Sequence, residues 1–300
     1  MPQTDSEYLA ARFEENRAHL RAVAYRMLGS LTEAEDAVQE AWIRLDRTDT
    51  SDVENLGGWL TTVVGRVCLD QLRARKARRE ESVESFPERL PDPVVAQDRG
   101  HADPEQEVLL ADSVGFALLV VLEQLAPAER LAFVLHDMFG VPFEEIAPIV
   151  ERTPATTRQL ASRARRRVQG ATPAPEPDLN RQREIVGAFL AAAREGDFDG
   201  LLTALDPDVV LRVDLGEVAG GVAKLVRGAT AVAQQALTFS KLGASSRRVL
   251  VNGLPGVVSV PHGKPVSLMA LSISGGRIVE INIIADPARL AGLDPEVLAG

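Results

Sequence analysis

Three hundred residues exceed what one small hydrophobic core organises, so two or three domains are expected. A net charge of −10 excludes a uniformly basic nucleic-acid binder, and one cysteine excludes an internal disulfide framework and suits a reducing cytoplasm. No apolar run is long enough to span a membrane, and the N-terminus lacks a signal-peptide pattern. The average charge hides its distribution. Residues 1–65 hold six Arg against twelve Asp and Glu. Residues 66–79 hold Arg66, Arg73, Arg75, Lys76, Arg78 and Arg79 against Asp70 alone, and residues 152–169 hold six Arg and no acid. Two basic islands in an acidic chain suit separate phosphate-contacting elements, or two solvated helix faces. The histidines, His19, His101, His136 and His262, are scattered without metal-ligand spacing, so no metal or other cofactor is implied.

In chain order, residues 8–28 read as a helix with Phe13, Leu20, Ala24, Met27 and Leu28 on one side and Gly29 as its stop. The stretch 32–45, TEAEDAVQEAWIRL, repeats Ala34, Val38, Ala41, Trp42 and Leu45 at helical spacing, with Thr32 and Glu35 as a capping box. Its other face carries Glu33, Asp36, Gln39 and Glu40. Asp36 and Glu40 are like charges four apart, a pairing that costs an isolated helix about 0.2–0.5 kcal/mol. Such a stripe suits a basic partner, or simply water. After a polar break at 48–52, Gly57-Gly58-Trp59-Leu60 opens a third helix. It has Leu60, Val63, Val64 and Val67 inward, Thr61, Thr62, Arg66 and Asp70 outward, and Cys68 as a buried structural thiol. These three helices make a bundle over residues 1–80.

Residues 81–107, rich in Pro, Asp and Glu, read as an extended linker. The second helical module spans 108–170. Val114, Leu118, Val121, Leu122 and Leu125 form one stripe, and Leu131, Val134, Leu135 and Met138 another, between Pro127 and Gly140. Phe143-Glu144-Glu145-Ile146-Ala147, a turn at Arg152-Thr153 and a helix from Pro154 make a helix-turn-helix. Leu160, Ala161, Ala164 and Val168 face inward, which turns Thr156, Thr157, Arg158, Gln159, Ser162 and Arg163 toward a major groove. Arg and Gln there bond base edges, while Arg165, Arg166 and Arg167 suit phosphates. Pro148 should shorten or bend the first helix of the pair.

A second linker, 171–177, precedes a change of class at 178–300. Helices at 181–195, 198–205 and 230–242 accompany strands at 208–214, 217–226, 247–254, 256–261, 265–274 and 277–284. The expectation is two all-α modules followed by an α+β cone of helices on a curved, mainly antiparallel sheet.

Tyr25-Arg26-Met27-Leu28-Gly29-Ser30, followed by Glu35-Asp36-Ala37-Val38-Gln39-Glu40-Ala41-Trp42, closely resembles region 2 of the extracytoplasmic-function (ECF) sigma factors. The resemblance implies that Asp36, Gln39 and Glu40 dock on the clamp helices of the RNA polymerase β′ subunit. Trp59 and its helix resemble regions 2.3 and 2.4, which open the −10 element; Arg66, Arg73, Arg75 and Lys76 then supply phosphate contacts, and the loop at 49–58 grips an extruded base. Trp59 itself reads as a core residue ahead of a stacking platform. The helix-turn-helix resembles region 4, the reader of the −35 element. Arg89-Leu90-Pro91-Asp92-Pro93 resembles the Trp-Leu-Pro-Glu-Pro linker motif of ECF factors with an added domain, with the tryptophan replaced. FLAAAREGDFDGLLTALDPDVVLRVD resembles the start of SnoaL-like domains of the NTF2 superfamily. Asp286-Pro287-Ala288-Arg289-Leu290 resembles the Asn-Pro-Asp-Lys-Leu motif that accompanies such domains. Leu90, Pro91, Asp286, Pro287 and Leu290 are therefore the implied regulatory contacts.

The family resemblance also admits an enzyme, because SnoaL-like cones include cyclases and isomerases. Asp206, Asp208, Asp214 and His262 are the acid and base candidates, but residues 171–300 contain no Tyr, Trp or Cys, so a tyrosine oxyanion donor is absent. Asp206-Pro207-Asp208 reads as a turn and His262 as a loop tip. A sigma factor with a domain regulating it in cis is expected, with core RNA polymerase and promoter DNA as partners. The alternatives are an NTF2-like enzyme or ligand sensor fused to DNA-binding modules, and a helix-turn-helix repressor. A repressor leaves the acidic docking helix unexplained.

Overall fold

A computed structural model describes residues 3–48, 53, 55–81, 89–98, 115–171, 176–216, 224–239 and 245–298. Residue Val114, the tip of the 49–58 loop, the first residues of the expected 217–226 strand and most of both expected linkers lie outside these. The chain divides into two compact units, one from residues 1–85 and 119–171, the other from 86–118 and 172–300.

In the first unit, α1 (Gln3–Leu28), α2 (Leu31–Arg47) and α3 (Leu56–Glu81) pack through the expected apolar faces. Phe13, Leu20, Ala24, Met27, Leu28, Ala34, Val38, Ala41 and Leu45 are all buried. The start of α2 differs from expectation. Gly29, at φ 69, closes α1, and Ser30 caps α2 by accepting from the Glu33 amide at 3.5 Å. Glu35, freed from the capping box assigned to it, pairs with Arg17. Thr61, expected on the outside of α3, is buried: its hydroxyl donates to the Gly57 carbonyl at 2.8 Å and lies 3.3 Å from His19 Nε2.

The other half of this unit holds α4 (Phe116–Glu123) from Leu119 on, α5 (Pro127–Phe133), α6 (Phe143–Val150) and α7 (Pro154–Ala171). A π-helical turn, Val134–Met138, continues α5 toward Gly140, at φ 70. α6 runs through Pro148 but is only eight residues long. Pro148 and Glu144 are both exposed, so the carbonyl that loses its helical partner lies on the wet side.

The two helical halves pack on each other. A Cβ on Gly65 of α3 would lie 3.2 Å from Leu135 and 3.4 Å from Leu131, so the missing side chain is what lets α3 approach. Arg130 of α5 is 1% exposed; its Nε donates to the Arg26 carbonyl at 3.2 Å and its Nη2 to Glu123 at 2.8 Å. Both bonds satisfy a charge that burial would otherwise make costly.

Among the described residues the second unit is a mixed seven-stranded sheet with helices. Its elements are β1 (Val95–Gln97), α8 (Leu179–Glu195), α9 (Phe198–Ala204), β2 (Leu205–Asp214), β3 (Lys224–Arg227), α10 (Ala229–Phe239), β4 (Ser246–Val251), β5 (Leu254–Ser259), β6 (Ser267–Ser274), β7 (Arg277–Ile284), α11 (Pro287–Leu290) and α12 (Pro295–Leu298). The spatial order is β1-β4-β5-β6-β7-β2-β3, antiparallel except for the β2–β7 pair. The sheet is open, with β1 and β3 at its two edges, so it does not close into the expected cone. Ile185, Val186 and Phe189 of α8 meet Val209, Leu211, Val257, Leu271 and Ile281 in the core. Asn252-Gly253, at φ 49 and 80, turns β4 into β5, a pair suited to a two-residue hairpin. β1 corrects the linker expectation: Val95, Ala96 and Gln97 pair with Val251, Leu250 and Val249. Among the described residues no helix is long and apolar enough to cross a membrane.

Cys68 is wholly buried, and burial pushes its thiol up to about 12, against a smaller opposing pull from Arg130. Only a thiolate attacks disulfide reagents at useful rates. Cys68 should therefore resist a thiol-specific chromogenic disulfide at pH 8 in native protein and react fully in denaturant. A prompt native reaction would show that the α3 core opens.

Candidate nucleic-acid and polymerase interfaces

On α2, Asp36 and Gln39 are exposed and Glu40 half-exposed, as their wheel positions require. The stripe is less repulsive than its sequence suggests. Arg44 donates to Glu40 at 3.0 Å in an i,i+4 pair, Glu33 pairs with Arg75, and Glu35 with Arg17. Asp36 keeps no ion pair among the described residues.

The basic side of α3 is split between two tasks. Arg66 is exposed and lines an open cleft of about 470 Å³ with Arg44, Arg47, Trp59, Thr62 and Val63. Trp59, expected in the core, is only half-buried and forms a wall of that cleft. Lys76 is exposed, and Arg73 lies 3.9 Å from Asp70 and 3.8 Å from Glu151. Arg75 departs from the phosphate-contact expectation: it pairs with Glu33 and donates to the Leu28 carbonyl at 3.3 Å, pinning α3 to the α1–α2 junction. It lies on the side of α3 that faces that junction, which a count of basic residues does not reveal.

α6 and α7 form the helix-turn-helix. Glu151 adopts the left-handed region at φ 56, the Arg152 amide donates to Ala147 O at 3.0 Å, and Thr153 Oγ1 accepts from the Thr156 amide at 3.2 Å. This Thr153 cap fixes where α7 starts. Arg158, Gln159, Arg163 and Arg166 are exposed, and Thr156 and Ser162 half-exposed. Thr157 is not available to a groove. It is fully buried, and its hydroxyl donates to the Thr153 carbonyl at 3.0 Å. Arg158 stacks over the Phe143 ring at 5.1 Å. Arg163 and Arg167 both reach Glu129, at 3.1 and 2.8 Å, and Arg165 donates through Nε to Asp137 at 2.9 Å. Arg166 makes only a 3.4 Å contact with the Ser162 carbonyl, so Arg158 and Arg166 are the cations of this face without a carboxylate partner among the described residues.

In the second unit, the two motifs expected to act together meet. Leu90 and Pro91 are buried, and the Leu90 amide donates to Asp214 Oδ2 at 3.0 Å. Asp286 caps α11 by accepting from the Ala288 amide at 2.9 Å, Pro287 takes the first helical position, and Leu290 is buried. The link itself is Arg289, which neither motif expectation singled out. Its Nη1 donates to Asp214 at 2.7 Å, and its Nη2 to the Pro91 carbonyl at 2.6 Å and Asp92 at 3.0 Å. Burial lowers the basicity of this guanidinium, while Asp92 and Asp214 pull it back up. Farther along the linker, Asp98 takes Arg183 at 2.8 Å, and Val94 and Asn252 exchange two bonds at 2.8 and 3.1 Å. An arginine at the Lys position of the terminal motif was the available signal; its carboxylate partners lie far away in sequence.

The acid and base candidates do not converge. Asp206-Pro207-Asp208, expected as a turn, lies in the irregular first part of β2, where Asp206 accepts from the Asp208 amide at 2.9 Å, and Asp214, at the far end of β2, is about 26 Å away at roughly 3.3 Å per residue. Asp214 is held by Arg289, and His262 is an exposed tip at φ 53.

Known proteins agree with this arrangement. The family model for Sigma-70 region 2 matches residues 12–78, and that for Sigma-70 region 4 matches 115–168. The chain is 39% identical over 300 residues to the ECF RNA polymerase sigma factor SigJ of Mycobacterium tuberculosis, covering 94% of this chain and 93% of that one. It is 36% identical over 301 residues to the probable ECF RNA polymerase sigma factor SigI of the same species, covering 97% and 98%. The crystal structure of M. tuberculosis SigJ superposes with a TM-score of 0.73 at 35% identity, covering 94% of this chain and 98% of that one. With both sigma regions in place and the likeness to these relatives running through the C-terminal unit as well, the chain belongs to the ECF RNA polymerase sigma factors.

Proposed function

We propose that α2 docks core RNA polymerase through Asp36, Gln39 and Glu40, that α3 holds the −10 element, that α7 reads the −35 element, and that the C-terminal domain regulates the process in cis. As a member of its family the protein is a promoter-specificity subunit that works by binding and not by catalysis. The reading places it in the cytoplasm beside core polymerase. The cleft walled by Trp59 suits an unstacked base, with Arg44, Arg47 and Arg66 near its phosphates. Arg66, Arg73 and Lys76 remain the backbone contacts of this reading, without Arg75. In α7, Thr156, Arg158, Gln159, Ser162 and Arg163 face bases, and Arg166 a phosphate.

Arg73, a proposed −10 contact, lies 3.8 Å from Glu151, and Arg158 is seven residues beyond that, within about 25 Å along the chain. The two promoter elements are centred about 25 base pairs apart, or about 85 Å at 3.4 Å per base pair. Regions 2 and 4 must therefore part before both elements are held. The captured linker bears on that step. Residues 89–98 are held by Arg289, Asp214, Asn252 and Arg183, so the C-terminal domain controls how much chain is free between the regions.

For docking, reversing Asp36 and Glu40 to Lys should abolish co-purification with core polymerase and leave the helical circular dichroism unchanged. For recognition, Arg158→Ala should lose about 1–3 kcal/mol of discrimination at one or two −35 positions. Arg166→Ala should weaken binding to every sequence and flatten its salt dependence. Identical sequence-preference profiles for Arg158→Ala and wild type would remove Arg158 from the readers. For regulation, run-off transcription at matched folded protein should fall for a chain ending at Pro175. It should exceed full length for a chain ending at Ile284 and for Arg289→Met. Equal activity in all four proteins would mean no regulation in cis, and would raise a ligand sensor in its place.

A further inference from the structure

Beside the acidic stripe, α1 and α2 enclose a small apolar groove. Ala10, Phe13, Val38 and Trp42 line it, and Glu14, Arg17 and Gln39 complete its wall. Phe13 and Trp42 meet edge to face, 5.1 Å between centroids, and Trp42 stays half-exposed. The groove holds about 200 Å³, below the roughly 300–1,000 Å³ usual for a small-molecule site and suited to one protein side chain. Arg17 does not make it cationic. It is paired with Glu14 at 2.9 Å and with Glu35, and Glu35 first, then Glu14, raises its basicity.

On the α2 wheel Gln39 stands between Val38 and Trp42 on one side and Asp36 and Glu40 on the other. Groove and stripe are thus one continuous surface, apolar in the groove and acidic along its edge. Exposed charge pairs steer and orient a partner but contribute little affinity, whereas an apolar side chain seated in an aromatic-walled pocket supplies much of it.

We propose that this groove is the apolar anchor of polymerase docking. It receives one aliphatic or methionine side chain from an amphipathic helix of core polymerase, whose basic residues, about one turn away, meet Asp36 and Glu40. This rests on the docking reading of α2. Charge complementarity favours that occupant over a second copy of this chain, whose α2 would bring like charge to the same edge.

The test fills the groove from α1 without touching the stripe. Ala10→Phe and the smaller Ala10→Leu are titrated into core polymerase as full-length chains at low and high salt, after circular dichroism and thermal melting confirm their fold. Ala10→Phe should weaken binding about tenfold or more, with Ala10→Leu between it and wild type. The factor should be the same at both salts and arise in the dissociation rate. The Asp36→Lys, Glu40→Lys pair should instead lose most at low salt. Wild-type affinity for both Ala10 variants, with binding lost on charge reversal, would overturn the anchor and leave the docking reading intact. Wild-type affinity for all of them would bring down the docking reading itself. Should Ala10→Phe not fold, Ala10→Leu alone decides.

Discussion

The C-terminal unit depends on one buried guanidinium. Arg289 is 7% exposed at its side chain and lies between Asp92 and Asp214. Removing such charges from water costs several kcal/mol per ion, offset only where partners are close and the remaining donors are bonded. Here two carboxylates and the Pro91 carbonyl bond both Nη atoms, Nε has no partner among the described residues, and Asp214 also takes the Leu90 amide. Three distant stretches of chain are therefore held together: the segment before β1, the end of β2 and the terminal motif. A three-residue strand such as β1 has little independent stability. Its place at the sheet edge follows from the charges and the Val94–Asn252 bonds that fix the chain on either side.

In the sigma unit the same kind of side chain serves packing and surface at once. Arg130 and Arg75 join helices, while Arg158 and Arg166 stay on the outer face. Several of the others reach acids that are themselves largely buried, Arg163 and Arg167 meeting Glu129 and Arg165 meeting Asp137. Withdrawing these cations would leave buried carboxylate charge uncompensated, so the pairs hold α7 to α5 and to the turn that follows it. The surface of α7 whose cations have no carboxylate partner among the described residues is thus narrower than its five arginines suggest.

The outer surface of α2 and the groove beside it separate charge from apolar contact. Arg44 and Arg17 neutralise Glu40 and Glu35, and Asp36 has no ion pair among the described residues. In the proposed reading the stripe governs approach and orientation, and the Phe13–Trp42 groove governs how long the partner stays.

The amino-acid sequence by itself determined the helix faces of both sigma regions, the helix-turn-helix, the exposed positions of Asp36, Gln39, Arg158 and Arg166, and the two motifs of the C-terminal domain. These are local properties: helical periodicity, caps and turn residues act over a few positions and are read directly. Only the tertiary structure decided what depends on partners far along the chain. Thr61 and Thr157 lie on wheel positions open to either side, and neighbouring helices and backbone carbonyls drew them inward. Arg75 became a clamp because Glu33 stands opposite it. Val95–Gln97 carry no strand signal of their own and pair only because β4 offers an edge. The sheet stays open because closure depends on its two edges meeting, and strand alternation carries no information about that.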